Sequence, residues 1–167
     1  MNAALALLEE DAGQGLTMRA LASRLGVTPM SLYRHVGDQA KLLRALSDRV
    51  FAEALNASAG IDVHLDAIRT LLIRYHWAVG RHPQLTLALF ATPDALNGVT
   101  REITERLTTL LSKSTAEPVL WRDILVDHAH GSGLALASAR DDPPRAEALH
   151  QQYRQALDRL LDRLAGA

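Results

Sequence analysis

The 167-residue chain contains no cysteine, which excludes a disulfide framework and a thiolate metal site. It has no apolar run of about 18 residues, so the sequence predicts no membrane-spanning helix. The N-terminal segment lacks the basic start and the cleavage site of a secretion signal, so we expect a cytoplasmic protein. There is no glycine-rich phosphate loop and no recognisable set of nucleophile, base and acid. We therefore expect neither an enzyme nor a bound cofactor or metal.

Aromatic residues make up only 4% of the chain, and no segment alternates apolar and polar residues as a half-buried strand does. Apolar residues instead recur at helical spacing between glycine and proline breaks, so we expect an all-α fold. The first expected helices cover residues 3–11 and 18–25, followed by a short helix from 29 and a long helix that Asp38 caps and that ends at about 57. Asp62 is expected to cap the next helix, which ends at His82-Pro83. The remaining helices are expected over 85–91, 99–112 and 118 to about 139, with a last helix to about 164.

The net charge of −1 gives no global sign of nucleic-acid binding, but the charge is unevenly distributed. Residues 17–49 carry six Lys or Arg side chains against two acidic ones, a local charge of +4. A positive field confined to one segment favours contact with phosphates.

That basic segment has the pattern of a helix-turn-helix. Thr17 is expected to cap a helix over 18–25, and Gly26 suits the left-handed conformation that a tight turn needs. Thr28 is expected to cap a second helix, with Pro29 in its first position, where a missing N–H costs nothing. The small Ala22 allows the two helices to cross closely. This geometry leaves one face of the second helix free to enter a major groove.

The apolar sides of this pair are expected to be buried through Leu21, Leu25, Val27 and Leu32. A small helical hairpin without any reading function would need a similar glycine turn and similar contacts. The caps, the turn and the basic residues agree with one another, which favours the DNA-reading interpretation.

The segment resembles the DNA-binding domain of TetR-type transcriptional repressors. The matching residues are Leu16-Thr17, Ala20-Leu21-Ala22, Leu25-Gly26-Val27, Ser31-Leu32-Tyr33, His35-Val36 and Leu42-Leu43. The resemblance implies an N-terminal three-helix helix-turn-helix domain and a larger C-terminal helical domain for ligand binding and dimerisation. We expect the boundary near residue 46, with a linking helix to about 57, so the domains are 1–46 and 47–167.

The exposed face of the second motif helix supplies the candidate DNA contacts. Arg34 can fork onto guanine, and Met30 can lie against a thymine methyl. The resemblance implies phosphate contacts for Tyr33 and a phosphate or base contact for His35, although both could instead pack on the following helix, and Arg34 could be a surface charge. The expected DNA-binding residues are Thr17, Thr28, Pro29, Met30, Ser31, Tyr33, Arg34, His35 and Lys41.

Two features depart from the family pattern. Gln39 stands where family members often carry a phosphate-binding lysine, and Lys41 is the candidate substitute. The sequence also begins inside the first helix, without the basic arm that commonly precedes it, so either the arm contacts are absent or the native start lies upstream of Met1.

In the C-terminal part, aromatic and polar residues on the middle helices are the candidates for a small-molecule pocket, although such residues are more often core. The expected pocket residues are Tyr75, His76, Phe90, Trp121, Ile124 and His128. A wide apolar stripe on the last helix and small residues on the preceding one indicate a four-helix dimer interface, the alternative being a stripe buried within one chain. The expected interface residues are Gly131, Ala135, Leu149, Tyr153, Leu157, Leu160, Leu161 and Leu164.

Together these features predict a homodimeric, ligand-responsive repressor that binds a palindromic double-stranded DNA operator and is released by a small-molecule effector. The alternative is a helical interaction protein whose degenerate helix-turn-helix does not bind DNA tightly.

Overall fold

The computed structural model describes residues 1–10 and 16–166, and every regular element in these ranges is helical, which confirms the all-α prediction. A 3-10 turn, Pro93–Ala95, joins α6 to α7. The α-helices are α1 (Asn2–Glu10), α2 (Met18–Leu25), α3 (Pro29–Val36), α4 (Gln39–Ala57), α5 (His64–Arg81), α6 (Pro83–Phe90), α7 (Val99–Leu111), α8 (Pro118–Ala137) and α9 (Pro143–Ala165). Within these ranges no helix is long and apolar enough to cross a membrane.

Three of the four predicted helix caps are confirmed. Thr17, Thr28 and Asp38 each accept a hydrogen bond from a backbone N–H three residues on, which satisfies one of the free donors of a first helical turn. The prediction for Asp62 is wrong, because Val63 occupies the cap position of α5 and makes no side-chain bond there. Residue 11, the expected end of the first helix, lies outside the described residues.

The first three helices and the start of α4 share a small apolar core. Leu8, Leu21, Leu32 and Leu42 are buried in it, and α1 also packs on α6. The N-terminal helices are therefore attached to the rest of the molecule through α1 as well as through α4.

Two residues expected in this core lie outside it. Leu25 is 48% exposed and Val27 is 43% exposed, so the prediction that they bury the apolar side is wrong. Both flank Gly26 at the corner between α2 and α3, where no neighbouring helix covers them. Leu21 and Leu32, one turn further into each helix, make the buried contact instead.

The core of the C-terminal part centres on the crossing of α5 and α8. A Cβ atom added to Gly133 would lie 2.7 Å from Cγ1 of Val79 and 3.1 Å from the carbonyl oxygen of His76, and one added to Gly80 would lie 2.8 Å from Cδ1 of Leu136. The two helices approach so closely because each has a glycine at the crossing. Gly133 thus has a structural role within the chain.

Helix α4 is fastened to α7 near both ends of their contact. Asp48 Oδ1 accepts a hydrogen bond from the N–H of Val99 at 2.8 Å, which supplies a partner for the first turn of α7. At the other end, Arg106 donates to the carbonyl oxygen and the hydroxyl of Ser58, just after the last turn of α4. The long helix is consequently held in place by side chains that satisfy helix ends.

The α5–α8 crossing yields a prediction with a matched control. We expect Gly133→Ala to lower the free energy of unfolding by about 1–3 kcal/mol, because the added methyl group meets Val79 and the α5 backbone. Gly131→Ala, two residues away, meets no atom within 4 Å and should leave stability unchanged or raise it by up to about 1 kcal/mol through its helix propensity. Urea unfolding followed by circular dichroism measures both; equal effects would contradict the close approach.

Candidate nucleic-acid interface and ligand cavity

Helix α3 is held by one buried residue and presents the rest of its surface to solvent. Leu32 is only 7% exposed, whereas Met30 is 77% exposed and Tyr33 is 47% exposed. Arg34 and His35 are also exposed, and Ser31 is half-buried. Six of the predicted DNA-binding residues, Pro29, Met30, Ser31, Tyr33, Arg34 and His35, therefore lie on one short helix whose outer face is exposed.

The turn before α3 fixes its direction. Gly26 has φ +65°, and its N–H bonds the carbonyl oxygens of Ala22 and Ser23. Such a backbone is strained for any residue with a Cβ, although the space beside Gly26 is empty. Thr28 then accepts from the N–H of Ser31 at 3.2 Å, and the exposed Pro29 takes the first helical position.

Two of the basic side chains near this surface are partly neutralised by ion pairs. Arg24 donates to Glu10 at 2.5 Å, linking α2 to α1, and this guanidinium lowers the pKa of the Glu10 carboxyl. The ammonium group of Lys41 lies 3.9 Å from Asp38, and the Lys41 side chain is 60% exposed. Its stem passes over Gly37, where a Cβ would lie 2.7 Å from Cδ of Lys41.

A mainly apolar cavity of about 250 Å³ lies between α4, α5, α6, α7 and α8. Its polar groups include the threonine hydroxyls of Thr86, Thr100 and Thr104, with Arg101 at the same wall. The apolar and aromatic lining comprises Phe51, Tyr75, Leu89, Phe90, Leu96, Ile103 and Val126, together with His130. A concave apolar wall with a few convergent polar groups suits a small organic molecule.

Tyr75 and His130 form the buried polar contact of this cavity, which we call the ligand cavity. Tyr75 Oη lies 2.7 Å from Nε2 of His130, and the ring of Phe90 meets the imidazole edge-on at 4.8 Å. Burial raises the pKa of the Tyr75 hydroxyl and lowers that of His130. The phenol thus stays protonated, and its O–H donates a hydrogen bond to Nε2 of a neutral imidazole.

Of the six residues predicted for a pocket, two line the ligand cavity, Tyr75 and Phe90. The other four lie elsewhere: His76 is fully buried among other side chains, Trp121 packs half-buried against the core, Ile124 is 40% exposed on α8, and His128 stacks near Tyr153 with ring centroids 5.2 Å apart. Sequence reasoning missed Phe51, Val126 and His130. The four-residue spacing of Val126 and His130, which puts both on one face of α8, was the available signal.

His76 belongs to a directed chain of hydrogen bonds. The Trp77 indole N–H donates to Nε2 of His150 at 2.9 Å, so the proton of neutral His150 must be on Nδ1. That Nδ1 lies 3.3 Å from Nδ1 of His76, which must accept, leaving the Nε2–H of His76 to donate to Ser132 Oγ at 3.1 Å. The chain joins α5, α8 and α9 only while both imidazoles are neutral.

The predicted interface residues fall into two groups. Tyr153, Leu157, Leu161 and Leu164 on α9 are at most 2% exposed, since α9 packs them against α5 and α8 of its own chain. Gly131 and Ala135 are exposed on α8, and Leu149 and Leu160 are half-buried on α9. Only this second group is open to a partner.

Comparison with known proteins agrees with this arrangement. Residues 1–46 match the sequence model described as bacterial regulatory proteins, tetR family. BioQ from Mycobacterium smegmatis is 26% identical and superposes with a TM-score of 0.79 over 99% of this chain and 94% of that chain. A BioQ crystallised with its double-stranded DNA operator is 26% identical, with a TM-score of 0.71 over 99% and 95%.

A TetR variant from Acinetobacter baumannii AYE, in complex with minocycline, is 21% identical with a TM-score of 0.70 over 96% of this chain and 91% of that chain, and it supports the fold alone. No curated protein matches the chain in sequence. The fold is that of an all-helical protein with a capped helix-turn-helix whose second helix is exposed. Residues 1–46 thus resemble the tetR family of bacterial regulatory proteins, and the solved structures share the fold over nearly the whole chain.

The buried imidazoles predict a loss of stability in acid. Burial lowers the pKa of His76 to about 3 and also lowers the pKa of His150 and His130, whereas the unfolded chain takes up these protons near an ordinary pKa of about 6.5. The unfolded state then binds more protons than the folded state. The free energy of unfolding should therefore be highest above the unfolded-state pKa and should fall as the pH drops from 7 towards 5. Urea unfolding at both pH values measures this change.

Replacing His76 by Gln should make stability less dependent on pH, whatever it does to stability at pH 7. The same replacement at His35, which is exposed on α3, is the control for the substitution itself. An unaltered pH dependence in H76Q would contradict a neutral buried His76.

Proposed function

We propose that this protein is a ligand-responsive transcriptional repressor that binds a palindromic operator as a homodimer and is released by a small-molecule effector. The observation that carries the proposal is the outer face of α3, exposed and held in place by the capped Gly26 turn. The BioQ relative with its operator supports the same reading. We keep residues 1–46 as the DNA-binding domain and 47–167 as the effector and dimerisation domain.

In this proposal the side chains of α3 divide the work of recognition. Arg34 reads guanine O6 and N7, and Met30 contacts a thymine methyl. Tyr33 and His35 bind phosphates, while the smaller Ser31 permits close approach. Thr17, Thr28, Pro29 and Lys41 flank this surface, where free backbone N–H groups and the lysine ammonium suit phosphates.

A homodimer follows from the geometry of such recognition, because two half-sites one helical turn apart need two readers related by a two-fold axis. The open face of α8 and the half-buried leucines of α9 are the surface we propose for that contact. It includes Gly131, Ala135, Leu149 and Leu160, with Leu120 and Ile124 exposed on the same side of α8.

The ligand cavity is the proposed effector site, and α4 is its link to DNA. Phe51 on α4 lines the cavity and lies 5.0 Å from Tyr75 between ring centroids. An effector that displaces Phe51 moves α4, whose first turns pack under α3. Release requires that the effector bind the non-reading conformation more tightly. The proposed role is binding rather than catalysis, exerted in the cytoplasm where bacterial DNA lies.

The test is selection of bound sites from a random pool of double-stranded DNA by the purified protein. We expect enrichment of a two-fold symmetric motif, because a symmetric pair of readers selects symmetric half-sites. Absence of enrichment would overturn the proposal and favour a helical interaction protein.

Repeating the selection with Arg34→Ala identifies the base position that Arg34 contacts. We expect affinity for the selected site to fall by about 1–3 kcal/mol, and preference to relax at one position in each half-site. Arg159→Ala, on the exposed surface of α9, removes the same charge away from α3 and should leave the motif unchanged. An identical motif from both variants would remove Arg34 from the readers.

The selected DNA then serves as the reporter for effectors. Small molecules that release it from the protein should fail on Thr104→Trp, whose indole fills much of a 250 Å³ cavity, while DNA affinity without ligand stays the same. Fluorescence anisotropy of labelled DNA measures both. Thr109→Trp, on the exposed side of α7, is the matched control. Equal release from Thr104→Trp and the parent would place the effector site elsewhere.

A charged substitution tests the interface. Ala135→Glu should convert dimers to monomers in sedimentation experiments, because it places two like charges near the proposed two-fold contact without burying them in the monomer. Ala6→Glu, exposed on α1, adds the same charge at a remote place and should leave dimers intact. Persistent dimers in A135E would move the interface to another face.

A further inference from the structure

A second cavity, of about 480 Å³, opens between α1, α4 and α5. We propose that it binds a planar organic anion, of the kind represented by an aromatic carboxylate. We call it the basic cavity, after Arg49, Arg74 and Arg81 in its wall. No lining residue is shared with the ligand cavity, so this site would stand even if the proposed repressor function failed.

Positive side chains outnumber negative ones in the wall of the basic cavity. Arg74 pairs with Glu53 at 3.2 Å, both of them in the cavity wall. Arg49 and Arg81 are exposed and, within the part of the chain that the structure describes, form no ion pair. Two uncompensated guanidinium groups facing one space repel each other, and a carboxylate between them offsets that repulsion with charge-assisted hydrogen bonds.

A further acidic group lies behind the cavity wall, beside His82. Glu9 on α1 is 3.7 Å from Nδ1 of His82, which lines the cavity, and 3.5 Å from a guanidinium nitrogen of Arg140. Its negative charge is thus shared between His82 and Arg140. Three arginines against Glu53 and the shared Glu9 leave the cavity cationic.

The organic character of the ligand follows from the rest of the wall. Leu5 and Val50 present half-buried apolar side chains, and the Trp77 indole is 40% exposed. The indole is pinned, since its N–H is bonded to His150 and its ring lies 4.5 Å from that imidazole between centroids. A fixed aromatic surface favours a flat ring, and the volume falls in the range of small-molecule pockets and far exceeds the needs of an inorganic ion.

The two tryptophans of the chain make the site directly observable. In a Trp121→Phe protein, Trp77 is the sole source of indole emission and lies in the wall of the basic cavity. We expect 4-nitrobenzoate to quench that emission saturably, because the nitro-aromatic ring stacks near the indole while its carboxylate meets the arginines. The neutral 4-nitrobenzamide should bind at least about tenfold more weakly, and inorganic phosphate at equal concentration should not displace the probe.

Substitutions then separate the two cavities. Arg49→Gln and Arg81→Gln, singly and together in the Trp121→Phe background, should weaken 4-nitrobenzoate at least about tenfold when combined. Arg101→Gln, which removes the arginine of the ligand cavity instead, should leave the quenching curve unchanged. Circular dichroism checks that each variant is folded. If the double variant is not folded, the comparison of each single variant with the Trp121→Phe parent provides the test.

Two results would overturn the proposal. One is quenching that rises linearly and equally in the Trp121→Phe protein and its arginine variants, which would mean collision with an exposed indole. The other is saturable quenching that is lost in Arg101→Gln and retained in the Arg49 and Arg81 variants, which would place the probe in the ligand cavity. Neither result bears on DNA selection, so failure here is distinguishable from failure of the repressor proposal.

Discussion

The whole arrangement depends on α4 being one uninterrupted helix that joins the N-terminal and C-terminal parts of a continuous core. Its first turns bury Leu42, Leu43 and Leu46 with the N-terminal helices, and its later turns bury Phe51 against α5. Because a continuous helix resists bending, a displacement of one end also displaces the other end. Both cavities border this helix, through Phe51 in one case and Arg49 in the other.

The α5–α8 crossing provides the fixed frame against which α4 could move. Glycines at the crossing let the helices touch, and the bonds from Trp77 through His150 and His76 to Ser132 tie α9 to the same pair. Because each donor has one acceptor, the side chains have one arrangement of protons at neutral pH. Buried polar groups that are satisfied in this way specify a packing more strictly than apolar contacts alone.

Local features were predictable in detail, and features made by several helices were not. Thr17, Gly26 and Thr28 act within a few residues of their own position, and their roles emerged from spacing alone. Leu25 was misplaced because burial depends on whether a second helix reaches that turn. The hydrogen bonds of His76 could not be predicted, because its partners His150 and Ser132 are distant in sequence and no local pattern connects them to it.

The sequence by itself determined the all-helical class, the caps and turn of the helix-turn-helix, and the local excess of positive charge in that segment, since each depends on neighbours along the chain. Only the tertiary structure decided that Tyr75 meets His130 in a cavity with Phe51, and that Tyr153 and Leu157 face inward while Gly131 and Ala135 face out. Helical periodicity shows which residues share a face. Whether that face meets its own chain or a partner depends on how distant helices cross.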